Sequence, residues 1–333
     1  RRGKMTLEES IQQLEAIPPE DSSYLAAQFD RCALRYEKWV RDKKSSQGKD
    51  RHQLQEAVDQ YLQNTKGVRD ERRVRAALWG VDAILAAQPS DLNAASAMIE
   101  RVKSSAEALD QASSVRHKYR YRALRLALQS DDRAALQRHA LWLADHAPKS
   151  DYAPYALTVL ARASELAVQE STGEDQLQQH QLEARDIFER LVRLLGDSAE
   201  QIRGSKNALV ANSRLAHYDQ QTGRFAEAAQ RLEKLLEAYP SNKKYLRRAG
   251  LTLYNDKQYE RSLSHWRTLV SGLPGESDEW YEAKYFQLSC LAKSAPVKAV
   301  KVMDQFRRLH PAMGSAAWRK QFQQLDGSLR KTP

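Results

Sequence analysis

The sequence predicts an all-α fold, an α-solenoid of stacked antiparallel helix pairs, and three observations carry that expectation. The first is an echo. Aligning RLAHYDQQTGRFAEAAQRLEKLLEAYP with RAGLTLYNDKQYERSLSHWRTLVSGLP puts Phe225 over Tyr259, Ala228 over Ser262, Leu232 over Trp266, Leu235 over Leu269 and Pro240 over Pro274, each pair 34 residues apart. That offset is the period of a helix–turn–helix unit that buries its apolar faces by stacking on its neighbours. The second is that no window sustains the alternation of β-branched and polar residues that a half-buried strand needs. The third is that the 10 prolines of the 333-residue chain fall mostly between apolar-periodic segments, where helix stops belong.

The same positions resemble tetratricopeptide repeats. Ala216 and Gly250 sit where that family places its small helix-packing residue, Ala228 and Ser262 take its second small position, and Pro240 and Pro274 its closing proline. The departure is at the aromatic of the first helix, where Tyr218 and Tyr254 fall on either side of the expected site. The resemblance implies a right-handed superhelix whose first helices line a concave, partner-binding groove.

Taken in order, Leu7, Ile11 and Leu14 mark a short amphipathic segment that ends at Pro18-Pro19. Asp21-Ser22-Ser23 then caps a helix with Leu25, Phe29, Cys32, Tyr36 and Trp39 on one stripe. Residues 43–49 (KKSSQGK) have the composition of a mobile loop, after which Leu54, Ala57, Val58, Tyr61 and Leu62 complete a hairpin. This opening hairpin, 1–65, reads as a repeat or a cap.

Divergent helix pairs are expected over 66–196. A stripe of Val74, Leu78, Val81 and Leu85 stops at Gln88-Pro89, and Ser90-Asp91 caps an alanine-rich helix running through Leu109. The segment Arg116 to Leu128 is the most basic helix, paired with Ala134 to Ala147 and closed by Pro148. Pro148 and Gly196 are 48 residues apart, more than one period, so an insertion is expected near 170–181, as a lengthened helix pair or an exposed loop. Clear repeats follow over 197–311, starting with one helix drawn from Asp197 to Gly223. Ala283, Leu288, Ala299, Phe306 and Pro311 form a third copy, with an insertion near Gly275 to Glu279. Residues 312–333, carrying Trp318, Phe322, Leu325 and Leu329, read as a capping helix.

Lys+Arg 53 against Asp+Glu 43 gives a net charge of +10, spread among acidic neighbours. Such an excess either coats a solvated surface or meets an anionic partner: an acidic peptide, a nucleic acid or a membrane surface. The 2 cysteines, Cys32 and Cys290, lie in apolar helical patterns and read as core residues. No run approaches the ~18 apolar residues of a membrane span. The chain opens Arg1-Arg2-Gly3-Lys4, as expected of a trimmed or mature form, so cytoplasmic and periplasmic or cell-envelope settings both stay open.

Signatures of the common enzymes are missing from the sequence: it has no glycine-rich phosphate loop and no G-x-S-x-G elbow. The closest histidines, His139 and His146, are two helical turns apart and read as surface or partly packed. No catalytic residue, metal or cofactor is therefore predicted. The expectation is a non-catalytic protein–protein interaction scaffold, holding a protein or peptide in a groove or serving as a subunit of a larger assembly.

By the resemblance, His217, Gln221, Lys244, Arg247 and Tyr254 would face the groove. Helical spacing independently places Lys244, Arg247, Leu251 and Tyr254 on one side of a helix, a surface suited to an acidic or carboxylate-bearing peptide. A second anionic-ligand patch would be Arg116, Lys118, Arg120 and Arg122, interleaved with Tyr119 and Tyr121. It carries the alternative of a nucleic-acid-binding repeat protein. A further alternative is the regulatory repeat region of a longer enzyme.

Overall fold

The computed structural model describes residues 5–42, 48–87 and 90–331. The loop expected from 43 and the stop at Gln88-Pro89 lie outside them, apart from Gly48 and Lys49. Among the described residues there are eighteen α-helices and no strand. The protein is an all-α solenoid of helix pairs, in which neighbouring helices pack against one another within each part of the chain, Tyr24–Arg41 on Lys49–Asn64 and Ser114–Gln129 on Arg133–His146, as Tyr259–Gly272 packs on both Lys243–Asn255 and Asp278–Ser294. It divides into two compact units, Arg1–Ala163 and Ser164–Pro333.

In the first unit, α1 (Leu7–Glu15), α2 (Tyr24–Arg41), α3 (Lys49–Asn64), α4 (Glu71–Leu85), α5 (Leu92–Arg101), α6 (Lys103–Ala108), α7 (Ser114–Gln129) and α8 (Arg133–His146) follow in order. Their starts obey local chemistry: Thr6 and Glu9 form a capping box on α1, and Asp70, Asp91, Ser113 and Asp132 cap α4, α5, α7 and α8. The apolar stripes meet in one core containing Cys32, Trp39, Val58, Tyr61, Val81, Met98 and Tyr119. Burial pushes the Cys32 thiol up to about 12, the property of an inert core residue. The alanine-rich helix expected through Leu109 is in fact two, broken at Val102. There the backbone (φ −116°) tightens to a Val102 N–H to Ile99 carbonyl bond, and the Arg101 carbonyl turns toward the Arg73 guanidinium.

α9 (Tyr152–Gln169) spans the boundary between the units. The second unit continues with α10 (Glu174–Leu195), α11 (Ala199–Gly204), α12 (Lys206–Gln221), α13 (Phe225–Ala238), α14 (Lys243–Asn255), α15 (Tyr259–Gly272), α16 (Asp278–Ser294), α17 (Pro296–Leu309) and α18 (Ala316–Lys331). The long spacing after Pro148 is taken up by helices of 18 and 22 residues, α9 and α10. The single helix expected over 197–223 is split at Ser205. Ser198 and Gln201 box the start of α11, Ser205 caps α12, and Asn212 Nδ2 reaches back to the Gly196 carbonyl at 3.0 Å.

The 34-residue echo has a structural counterpart. Pro240 and Pro274 each stand just beyond the second helix of a pair, α13 and α15, and Ala228, Ser262, Leu232 and Trp266 are all fully buried. Inside the second unit the Asp219 carboxylate is inaccessible to solvent. It accepts from Arg185 Nε at 2.9 Å and Arg231 Nε at 3.0 Å, tying α12 to α10 and α13. Around Trp266, the Ser262 hydroxyl donates to the Gly250 carbonyl at 2.8 Å and accepts from the indole N–H at 3.1 Å.

Candidate functional site

The side of α12 and α14 turned away from the core gathers cations. α12 buries Ala208, Ala211, Leu215 and Ala216, and α14 buries Tyr245, Leu246, Ala249, Gly250 and Leu253. The 3.6-residue period then leaves Ser213, His217 and Gln220 along the flank of α12, and Lys244 and Arg248 along α14. Arg248 lies across that flank. Its Nη1 is 3.3 Å from both the Ser213 carbonyl and hydroxyl, and its Nη2 donates to Gln220 Oε1 at 2.8 Å. Gln220 is held in turn by Thr252. Ser213 and Gln220 are one turn to either side of His217, so the guanidinium bridges over the imidazole's position.

His217 reads the local charge. Burial first, then Arg248, Arg214 and Lys244, hold its pKa below the ordinary histidine value, and no carboxylate opposes them. Among the described residues, Arg214 is the one of these cations that meets an acid, with Nε 3.0 Å from Glu165. Lys244 is exposed. Arg248, partly buried, has its pKa lowered by burial and, against an opposing pull from Tyr245, by Arg214; its side-chain hydrogen bonds go to the neutral acceptors Ser213 and Gln220.

The groove residues expected from the sequence are placed unequally. His217 and Lys244 join this cluster, and Gln221 is exposed at the end of α12. Arg247 instead forms a two-pronged pair with Glu282 of α16, at 2.6 and 2.7 Å. Tyr254 is half-buried, its ring edge-on to Tyr259 and Phe286 with centroids 5.5 and 5.6 Å away. Arg214 and Arg248 complete the cluster; for Arg248 the signal in the sequence is that 244 and 248, like 213, 217 and 220, share a helix face.

The basic segment of α7 is dispersed. Arg122 makes a two-pronged pair with Asp82 of α4 at 2.6 and 2.9 Å. Arg120 is buried, stacked over Trp142 at 5.0 Å and 3.3 Å from His139 Nδ1. Arg116 donates to the Leu109 carbonyl at 2.6 Å and also lies over Trp142. Lys118 is exposed. Tyr119 is in the core, burial pushing its phenol up to about 12, and Tyr121 stacks on Tyr152 at 4.7 Å. Interior packing therefore absorbs most of what looked like a stacking platform. Among the described residues, no three His, Cys, Asp or Glu side chains gather as a metal site, and no helix is long and apolar enough to cross a membrane.

No protein-family model and no curated protein matches the chain. Among solved structures it is similar to the assembly chaperone of RpL4 (Acl4), at 12% identity over 91% of this chain and 95% of that one, with a TM-score of 0.27. Agreement at that level says nothing about activity.

Proposed function

We propose that the chain is a non-catalytic protein-interaction scaffold of the tetratricopeptide-like kind, and that the α12–α14 flank docks an acidic segment of a protein partner. The observation that supports this reading is the charge imbalance on that flank: the charges of Arg214, Lys244 and Arg248 all act on His217, and among the described residues Glu165 is the one acid paired with any of them. Cations held by neutral acceptors are pre-positioned for carboxylates, and charge-assisted hydrogen bonds are the stronger kind. A helical array offers such a face without a reaction centre, which is how repeat proteins present partners with extended surfaces.

The test is binding of a fluorescent Asp/Glu-rich peptide to the full chain. Lys244→Glu combined with Arg248→Gln is expected to weaken it by roughly tenfold or more at low salt, with unchanged far-ultraviolet circular dichroism. Equal affinity for the variant and the parent rejects the site. Tighter binding of an oligothymidine than of the peptide, with a steep loss on adding salt, would move the assignment to nucleic acid.

A further inference from the structure

A pocket of about 350 Å³ opens in the first unit, between the α3–α4 connection and the break that separates α5 from α6. That volume lies in the ~300–1,000 Å³ range of small-molecule sites. Its wall carries Lys66, Arg69, Arg73 and Arg101 with the hydroxyl residues Ser104 and Ser105, and no carboxylate lines it. The apolar lining is slight, Leu62 and Val68, with no aromatic ring. We propose that this pocket binds a small polyanion bearing two or more phosphate groups.

Four features lead there. Arg73 is 6% exposed and fixed from behind, its Nη1 donating to the Leu62 carbonyl at 2.6 Å and to Thr65 Oγ1 at 2.8 Å. A buried cation held by neutral acceptors carries a desolvation cost that an anion in the pocket relieves. The nearby acids are otherwise engaged: Asp59 pairs with Arg101, and Asp70 caps α4 by accepting from the Arg73 amide at 2.8 Å. Burial first, then the neighbouring Arg101, lower the Arg73 pKa, and the opposing pulls of Tyr61 and Asp70 do not restore it. Finally, Gly67 (φ +87°) turns the connection sharply and leaves open space where a side chain would stand.

Charge sets the ligand's size. Asp70 is outside the lining and faces the positive end of α4, which it caps; subtracting Asp59 alone from the four lining cations leaves about three positive charges on the wall, and one phosphate group carries about −1.5 to −2 at neutral pH. Two or more phosphates balance them. The lack of an aromatic surface gives a nucleobase nothing to stack on, so the phosphates themselves are what the wall recognises. This site is independent of the α12–α14 flank.

Inorganic tripolyphosphate titrated into the full chain by calorimetry is the test. Saturable binding with one site per chain is expected, with orthophosphate weaker. Lys66→Glu with Arg69→Glu, both exposed side chains, should weaken tripolyphosphate binding by at least about tenfold. Ser104→Glu on the facing wall should do the same, which guards against misfolding of the first variant. Lys244→Glu in the other unit should leave it unchanged. No saturable binding at low salt, wild-type affinity in both pocket variants, or an equal loss in Lys244→Glu overturns the proposal, as does a preference for oligothymidine over tripolyphosphate.

Discussion

Trp266 packs so closely on Gly250 that a Cβ at residue 250 would lie 2.6 Å from the indole Cε2. One repeat earlier the same two positions hold Leu232 and Ala216, both fully buried. The larger ring in the later repeat is thus matched by the loss of a methyl on the facing helix. Stacking of Trp266 on Phe286, at 4.8 Å and 11°, and its bond to Ser262 leave it no room to withdraw. Gly250→Ala is expected to destabilise the chain by about 1–3 kcal/mol through overpacking, even though alanine is the better helix former by about 1 kcal/mol. Trp266→Leu alone opens a cavity and also destabilises. Together they restore the earlier repeat's pair, so urea unfolding should give a double mutant more stable than the sum of the singles by about 0.5–3 kcal/mol.

Asp219 holds two guanidinium groups in a solvent-free site. Burial pushes its carboxyl up, while Arg231 and Arg185 pull it back toward ionisation. Asp219→Ala leaves both arginines short of a partner. Arg185 keeps Glu189 and Asp186, each at 2.9 Å, which places the expected loss near the low end of the ~3–5 kcal/mol for breaking a buried pair. Asp219→Asn, which retains an acceptor, should cost less in the same denaturation series.

His139 makes stability depend on pH. Burial first, then the charges of Arg120, Arg138 and Lys103, depress its pKa from 6.5 to about 4. Its Nδ1 accepts from Arg120, which only the neutral ring can do. A depressed folded value means that the unfolded chain takes up the proton first. The stabilisation is therefore full above about pH 6.5 and is lost as pH falls from there toward 4, by about 1.36 kcal/mol per unit at most. Comparing the chain with His139→Gln by thermal unfolding between pH 7 and pH 4 should show a shallower decline in the variant.

His217 links pH to binding. Arg214, Lys244 and Arg248 disfavour its protonated form in the free protein, and Glu165 is paired with Arg214. An acidic peptide would reverse that balance, so binding should take up a proton and tighten as pH falls toward and below 6.5. His217→Gln should flatten this dependence. A parent protein whose affinity is the same at pH 8 and pH 6 would remove His217 from the site.

Arg122 and Lys244 should separate structure from recognition. Arg122→Ala breaks the largely buried pair with Asp82, to which the Tyr36 hydroxyl also donates at 3.2 Å. The expectation is a loss of stability of about 2–4 kcal/mol with the peptide affinity intact. Lys244→Glu should show the converse in the same pair of measurements.

Much of this architecture was legible because helices are local objects. The apolar stripes at 3.6-residue spacing, the Asp and Ser caps, the corner prolines and the echo of Ala216 and Ala228 in Gly250 and Ser262 are all set by residues within a turn or one repeat of each other. The break at Val102 was not legible, because the group that meets its turned carbonyl, Arg73, lies 28 residues away, whereas the break at Ser205 does carry local signals, the Ser198–Gln201 box and the Ser205 cap.

The sequence by itself determined that the chain is helical, that it repeats, and which face of each helix is apolar, since those follow from backbone periodicity and the cost of wetting hydrocarbon. Only the tertiary structure decided which charges remain available. Arg247 and Arg248 are adjacent in the chain, yet one faces Glu282, 35 residues on, while the other lies over a flank of neutral acceptors 28 and 35 residues back. A cation's role is fixed by the partner that stacking brings to it, and no spacing within a single helix records which neighbour that will be.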